Sequence, residues 1–264
     1  LEPMDAAQRL VGGSRLAEAA VLEELLGGGK AAIDASDDPA LVPSLHVLAT
    51  VVGLTNPNIL TTIPVSVAQG RSWDVAYDGG ADRLFAAMTN GTVAVYDTFV
   101  TRANLASLGG PAVAPNRTIT PGRVVGGVSQ KISVNLHGIS FDRPSGRLIL
   151  SDVGDAASDS DGALYVIDGA PSANDVATGT GGVAIVEPLR EIRGASTLLG
   201  NPVDILLRSD GNLYVAEKLN GGGRILVFNG ILTGTGGGDL APSRSVTTAS
   251  LGSTGGPESI AEPN

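Results

Sequence analysis

Asp152, Asp155, Asp159 and Asp161 put four carboxylates within ten residues, in the run Asp152-Val-Gly-Asp155-Ala-Ala-Ser-Asp159-Ser-Asp161-Gly162. Alternate Asp side chains can converge on a hard cation, and the Asp-x-Asp-Gly piece ends in a Gly that permits a sharp bend. Calcium is the cation such a loop would take; a solvated acidic loop is the other reading. The 12-position pattern and terminal Glu of an EF-hand are absent. The chain has two histidines, His46 and His137, and no cysteine. That excludes disulfides and thiolate metal sites. Copper or zinc sites draw on several His or Cys ligands, so copper or zinc needs the fold to bring both histidines together. No nucleophile elbow, P-loop or HExxH pattern is present.

The elements that must position these residues follow from a recurring phrase. A short apolar strand, a turn, a second apolar strand, a turn and a third strand ending in Asp or Asn occur three times. The first copy is Trp73–Tyr77, Arg83–Met88 and Thr92–Asp97. The second is His137–Phe141, Arg147–Leu150 and Ala163–Asp168. The third is Val203–Leu207, Asn212–Ala216 and Arg224–Asn229. Thr89, Asp152 and Glu217 follow the second strands. A fixed period of this kind marks a repeat architecture, and a β-propeller buries such units around one axis. First strands are spaced 64 and 66 residues apart, with 55 more to Glu258. Common blades span roughly 40 to 50 residues, so long loops are expected between strands. Each repeat leads to a similar phrase, Pro115-Asn-Arg-Thr-Ile119, Pro188-Leu-Arg-Glu-Ile192 or Pro242-Ser-Arg-Ser-Val246. These read as outermost fourth strands, where Pro is tolerated at an edge.

Glu258–Ala261 reads as the opening of a fourth copy. Segments 45–52 and 59–67, joined by the turn Asn56-Pro57-Asn58, read as its remaining strands. The expected fold is therefore all-β: a propeller of about four recognisable blades, its ring closed by strands from both termini, which leaves no free sheet edge. A short helix over about 15–26, capped by Ser14 and ended by Gly27-Gly28-Gly29, is expected before it. Residues 34–44 read as a linker. The domain reading is an N-terminal helical extension and linker over 1–40, then a propeller over 41–264.

The second and third repeats, above all Asn201-Pro-Val-Asp-Ile-Leu-Leu-Arg-Ser-Asp-Gly-Asn-Leu-Tyr-Val-Ala216 followed by Arg224–Phe228, resemble the NHL/YVTN class of β-propellers, a broad group that includes gluconolactonase-like and bacterial cell-surface propellers. The resemblance implies a channel mouth ringed by the innermost strands. Trp73, Asp74, His137, Asn201, Asp204 and Glu258 lie at or beside the starts of those strands. Asn201, Asp204 and Glu258 are the residue types by which gluconolactonase-like members hold a divalent cation; bonding of Asp74 and Asp204 to turn backbone is the plainer alternative.

The net charge of −10 argues against a nucleic-acid partner, which needs clustered Lys and Arg. No apolar run reaches the roughly 18 residues of a transmembrane segment. Ser/Thr/Gly/Asn-rich loops, three lysines and the acidic balance resemble bacterial secreted proteins. The expectation is an extracytoplasmic binding or scaffold module for a protein or glycan partner of the cell envelope. The alternative is a metal-dependent enzyme at the propeller mouth, a lactonase-like hydrolase or a copper enzyme that detoxifies superoxide.

Overall fold

A computed structural model describes residues 16–17, 29–34, 44–49, 58–64, 70–107, 112–234, 236–251 and 255–261, with side chains described from residue 70 onward except those of 104–107 and 251. Its strands are β1 (Leu16–Ala17), β2 (Gly29–Asp34), β3 (Ser44–Ala49), β4 (Asn58–Pro64), β5 (Ser72–Asp78), β6 (Arg83–Met88), β7 (Thr92–Asp97), β8 (Arg117–Ile119), β9 (Gly122–Val125), β10 (Val128–Lys131), β11 (Leu136–Asp142), β12 (Arg147–Asp152), β13 (Ala163–Ile167), β14 (Arg190–Arg193), β15 (Pro202–Leu207), β16 (Leu213–Glu217), β17 (Arg224–Phe228) and β18 (Arg244–Thr247). Helix α1 spans Phe99–Ser107. The strands form four four-stranded antiparallel sheets, β1-β2-β3-β4, β5-β6-β7-β8, β11-β12-β13-β14 and β15-β16-β17-β18, plus the hairpin β9-β10. Each large sheet runs in chain order, the meander from which propeller blades are built.

Short, near-continuous apolar runs bounded by turns make the middle strands of each repeat. All five residues of β13 are buried, as expected of a strand covered on both faces. The outer strand β18 is largely exposed. A charge pair explains why repeats open their second strand with Arg and close the third with Asp. In the second repeat Arg147 Nε donates to Asp168 Oδ1 at 3.0 Å. In the first, Arg83 and Arg117 both bind Asp97. Burial by itself raises the Asp97 carboxyl, but Arg83 and Arg117 outweigh it and hold it below the ordinary carboxylate value.

Contacts divide the chain into two units. The first comprises residues 1–89 and 94–117, the second residues 90–93 and 118–264. In the first unit β2 lies against β5, and a core of Val75, Leu84, Ala86, Met88, Tyr96 and Phe99 fills one face of the β5–β8 sheet. In the second, β11 and β12 lie against β15. One core runs from Ile149, Leu164, Val166 and Ile192 of one sheet to Ile205, Leu213, Val215, Leu226 and Phe228 of the next.

The three full repeats and their fourth strands stand where the periodicity places them. Two expectations at the termini do not. Closure of the ring by strands from both termini is not what the strand order shows. The N-terminal sheet draws all four strands from residues 16–64, and β2 pairs with β3 at the edge where Glu258–Ala261 is expected. Residues 257–261 belong to no strand. At the N-terminus, Leu16 and Ala17 pair with Asp34 and Ile33, inside the span expected to be helical. Strand pairing there overrides helix propensity, a weak prior. The rest of the expected helix, and residues 35–43 of the expected linker, lie outside the described residues. Gly29–Asp34 and Ser44–Ala49 pair in one sheet, across the boundary drawn at residue 40.

Candidate functional site

Each inner strand begins with a bulge at an equivalent place. The register shifts between Ser72 and Asp74 in β5, between Leu136 and Ile139 in β11, and between Pro202 and Asp204 in β15. A bulge adds one residue, bends the strand and re-aims its side chains. Trp73 and Val203 are the residues so displaced in β5 and β15, and in β11 the extra residue falls at His137-Gly138.

A side-chain acceptor holds the loop before each bulge, buried in the second and third repeats. Asp152 is fully buried. It accepts the N–H groups of Val134 (2.9 Å), Asn135 (2.8 Å) and Gly154 (3.0 Å), and the Tyr165 hydroxyl lies 3.1 Å from its Oδ2. Glu217, also fully buried, accepts the N–H groups of Gly200, Asn201, Leu219 and Asn220 at 2.7 to 3.0 Å. In the first repeat Met88 aligns with these acids. The next residue, Thr89, supplies the acceptor instead, its Oγ1 taking the Arg71 N–H at 3.0 Å. The polar residue that closes each second strand is thus a loop anchor.

The expected mouth residues have the following places. Trp73 and Asp74 are half-buried in β5, where Asp74 Oδ1 accepts the Val75 N–H at 2.7 Å. In the second unit, Asp204 repeats that contact with Ile205 N–H at 2.7 Å, and its Oδ2 accepts the Ile260 N–H at 2.9 Å. Asn201 is buried; its side-chain Nδ2 donates to the Ala156 carbonyl at 3.2 Å and its backbone carbonyl accepts the Lys218 N–H at 2.9 Å. Glu258 pairs with Lys218 Nζ at 2.8 Å. His137 is buried. Burial, then the charge of Lys218, push its imidazole down to about 3, so it is neutral at pH 7. The structure therefore brings Lys218, a residue that sequence patterning does not single out, to both Glu258 and His137 of the second unit; Asp204 instead holds the backbone of Ile260. His46 lies in β3, with its side chain outside the described residues.

The acidic loop distributes its carboxylates. Asp152 serves the backbone as above. Asp155 Oδ1 accepts the Ala157 N–H at 3.0 Å, and Asp161 Oδ2 accepts the Asp155 N–H at 2.9 Å. Asp159 is exposed, and its carbonyl accepts from Asn220 Nδ2 at 3.1 Å. Among the described residues no three His, Asp or Glu side chains are grouped to hold a metal.

A side lobe has no counterpart in the periodicity. The β9-β10 hairpin turns through Gly126 and Gly127, both with positive φ (59° and 82°), the two-residue turn that suits strand twist. It packs on residues 175–189. Gly122 N–H donates to the Val186 carbonyl at 3.0 Å. Ser129 Oγ lies 2.6 Å from the Val183 carbonyl and accepts the Thr178 N–H at 2.9 Å. Asp175 accepts both the N–H and the hydroxyl of Thr120, at 2.7 and 2.6 Å. Between β9 and β14 lies a cavity of about 450 Å³ bordered by Arg123, Leu189, Arg190, Glu191, Arg193 and the backbone at 237–238. Distant segments of sequence meet there, which is why patterning alone does not show it.

No protein-family model matches the chain, and no curated protein matches it. Solved structures do. It is similar to a nidogen/laminin complex, at 15% identity and TM-score 0.49 over 88% of this chain and 64% of that one. It is similar to a Bacteroides uniformis protein provisionally assigned as a 6-phosphogluconolactonase, at 15% identity and TM-score 0.48 over 84% and 54%. It is also similar to Chaetomium thermophilum Sqt1 bound to the N-terminus of ribosomal protein L10, at 14% identity and TM-score 0.44 over 88% and 48%. The chain spans less than two thirds of the length of each.

Proposed function

We propose that this chain is a propeller-type binding module that engages a protein partner through the lobe of β9-β10 and residues 175–189. The observation that carries the reading is where large apolar side chains face water. Of eight among the described residues, Val124, Val125, Val176, Val183 and Leu189 lie on this lobe. Grouped exposed apolar side chains mark interaction sites. The acidic residues at the strand ends support the same reading, because Asp152 and Glu217 are committed to backbone N–H groups. An extracytoplasmic, cell-envelope setting belongs to the proposal. What supports it is composition: three lysines, an acidic balance and Gly-rich polar loops.

The test is capture of partners from envelope extracts, with identification by mass spectrometry, using three forms of the chain. Wild type and Val246→Ser, which alters an exposed residue of β18, are expected to retain the same protein. Val124→Ser/Val125→Ser is expected to lose it while melting like wild type. Equal retention by all three forms, or by none, would overturn the proposal.

A further inference from the structure

The cavity between β9 and β14 is cationic on a chain whose net charge is −10. Three guanidiniums border it against one carboxylate. Strand periodicity explains how. Side chains two apart share a face, so Glu191 and Arg193 look out from β14, with Leu189 just before it, while Arg190 and Ile192 are buried behind them. Arg123 and Val125 likewise share a face of β9. Arg190 spends its fork on three carbonyls, those of Gly230 (3.2 Å), Ile231 (2.7 Å) and Gly236 (2.8 Å). It supplies charge but few donors.

Arg123 and Arg193 are differently placed. Glu191 stands between them, with Oε2 3.4 Å from Arg123 Nη1 and Oε1 3.4 Å from Arg193 Nε. Both distances exceed the roughly 2.7 to 2.9 Å of a tight charge-assisted bond, so Glu191 aligns the two guanidiniums without saturating either. Arg193 Nη2 is fixed by the Tyr165 hydroxyl at 2.8 Å. Arg123 is more than half exposed, with this one loose partner described. Two forks held by one shared carboxylate, beside exposed Leu189 and Val125, form a surface with cationic and apolar halves.

We propose that this cavity receives an Asp or Glu side chain of an acidic peptide segment, held between Arg123 and Arg193, with a neighbouring aliphatic residue laid on Leu189 and Val125. The assignment rests on the reading of the lobe as a partner surface and names the chemistry of that partner. Planar guanidinium forks suit a carboxylate, and an apolar flank suits a peptide.

The probes are two fluorescently labelled octapeptides, one alternating Glu with Val and one alternating Gln with Val, titrated into the full chain and followed by anisotropy. The Glu peptide is expected to bind at least about tenfold more tightly than the Gln peptide, the size of one charge-assisted contact. Arg123→Ala is expected to remove that preference without changing the melting curve, since Arg123 makes one loose contact at the surface. High salt should weaken the Glu peptide selectively. Equal binding of both peptides, no binding of either, or an undiminished preference in Arg123→Ala would overturn the assignment. The two readings fail separately. Equal peptide binding lost in Val124→Ser/Val125→Ser would sink the anion site and leave the apolar lobe standing. A Glu preference that needs Arg123, with envelope capture indifferent to both valines, would do the reverse.

Discussion

Glu217 and Asp152 show how one side chain fixes a loop. A buried carboxylate that accepts several backbone N–H groups takes the place of a strand partner, and those amides would otherwise be left unsatisfied at a cost of roughly 1 to 3 kcal/mol each. Glu217→Gln keeps the shape but removes one acceptor oxygen and points an NH₂ at the donors of Gly200, Asn201, Leu219 and Asn220. We expect it to cost about 3 kcal/mol in urea denaturation. Thr89→Val, which removes one neutral bond to Arg71, should cost about 1 kcal/mol. Equal costs would show that the anchor is not electrostatic. His137 makes a prediction about pH. Its native imidazole stays neutral down to about 3, whereas a solvent-exposed imidazole titrates near 6.5. Below that value the unfolded chain takes up a proton that the native chain refuses. The stability contribution of His137 is therefore full above pH 6.5 and is lost as pH falls toward 3, at about 1.4 kcal/mol per pH unit. His137→Gln should flatten the fall of the denaturation midpoint between pH 6 and pH 4 relative to wild type. Parallel curves would mean that His137 is protonated in the native state.

At the scale of elements, the hairpin β9-β10 is the part whose loss should leave the blades standing. Gly122 is its hinge with the 175–189 segment. A Cβ there would lie 2.3 Å from Ile185 Cγ2 and 2.7 Å from the Gln130 carbonyl. Gly122→Ala should separate hairpin and segment. Hydrogen exchange should then speed up at Ser129, Val176 and Val183, while β12 and β13 stay protected; loss of protection in all of them would make the lobe part of the core. Strands were legible wherever a short apolar run stands between turn residues, as in Arg147–Asp152 or Arg224–Phe228. Even the Pro-led edge strands were visible. The hairpin carries Gly126-Gly127 between valines, but it breaks the repeat that marks the other strands. The N-terminal strands Leu16–Ala17 and Gly29–Asp34 carry apolar runs of only two and three residues, so helix spacing outweighed them. The candidate sites were less legible. His137 and Asp204 were visible as strand-start residues, yet the charge that bears on His137 comes from Lys218, just past the end of β16. Arg123 and Arg193 meet across about seventy residues of chain.

At the scale of the molecule, repeat stacking makes stability a sum of unit and neighbour terms, and the second unit shows where the neighbour term lies. Phe228, Leu226 and Ile205 of one sheet share a core with Ile149, Leu164 and Ile192 of the other. Phe228→Ala should therefore cost about 3 to 5 kcal/mol and loosen both sheets together. Residues 255–261 contribute far less. They add no strand. Ile260 packs on Val153, Val203 and Ala216 and donates to Asp204, while Glu258 offers Lys218 a surface pair, worth little in water. Deleting residues 255–264 should cost about 1 to 2 kcal/mol, a fall in Tm of roughly 2 to 4 °C per kcal/mol, with a single sharp transition retained. A closing strand would behave differently, because its removal would strip a ladder and expose a sheet edge. If calorimetry found the deletion as damaging as Phe228→Ala, the C-terminal segment would be part of the framework and not a cover over the ends of β15 and β16.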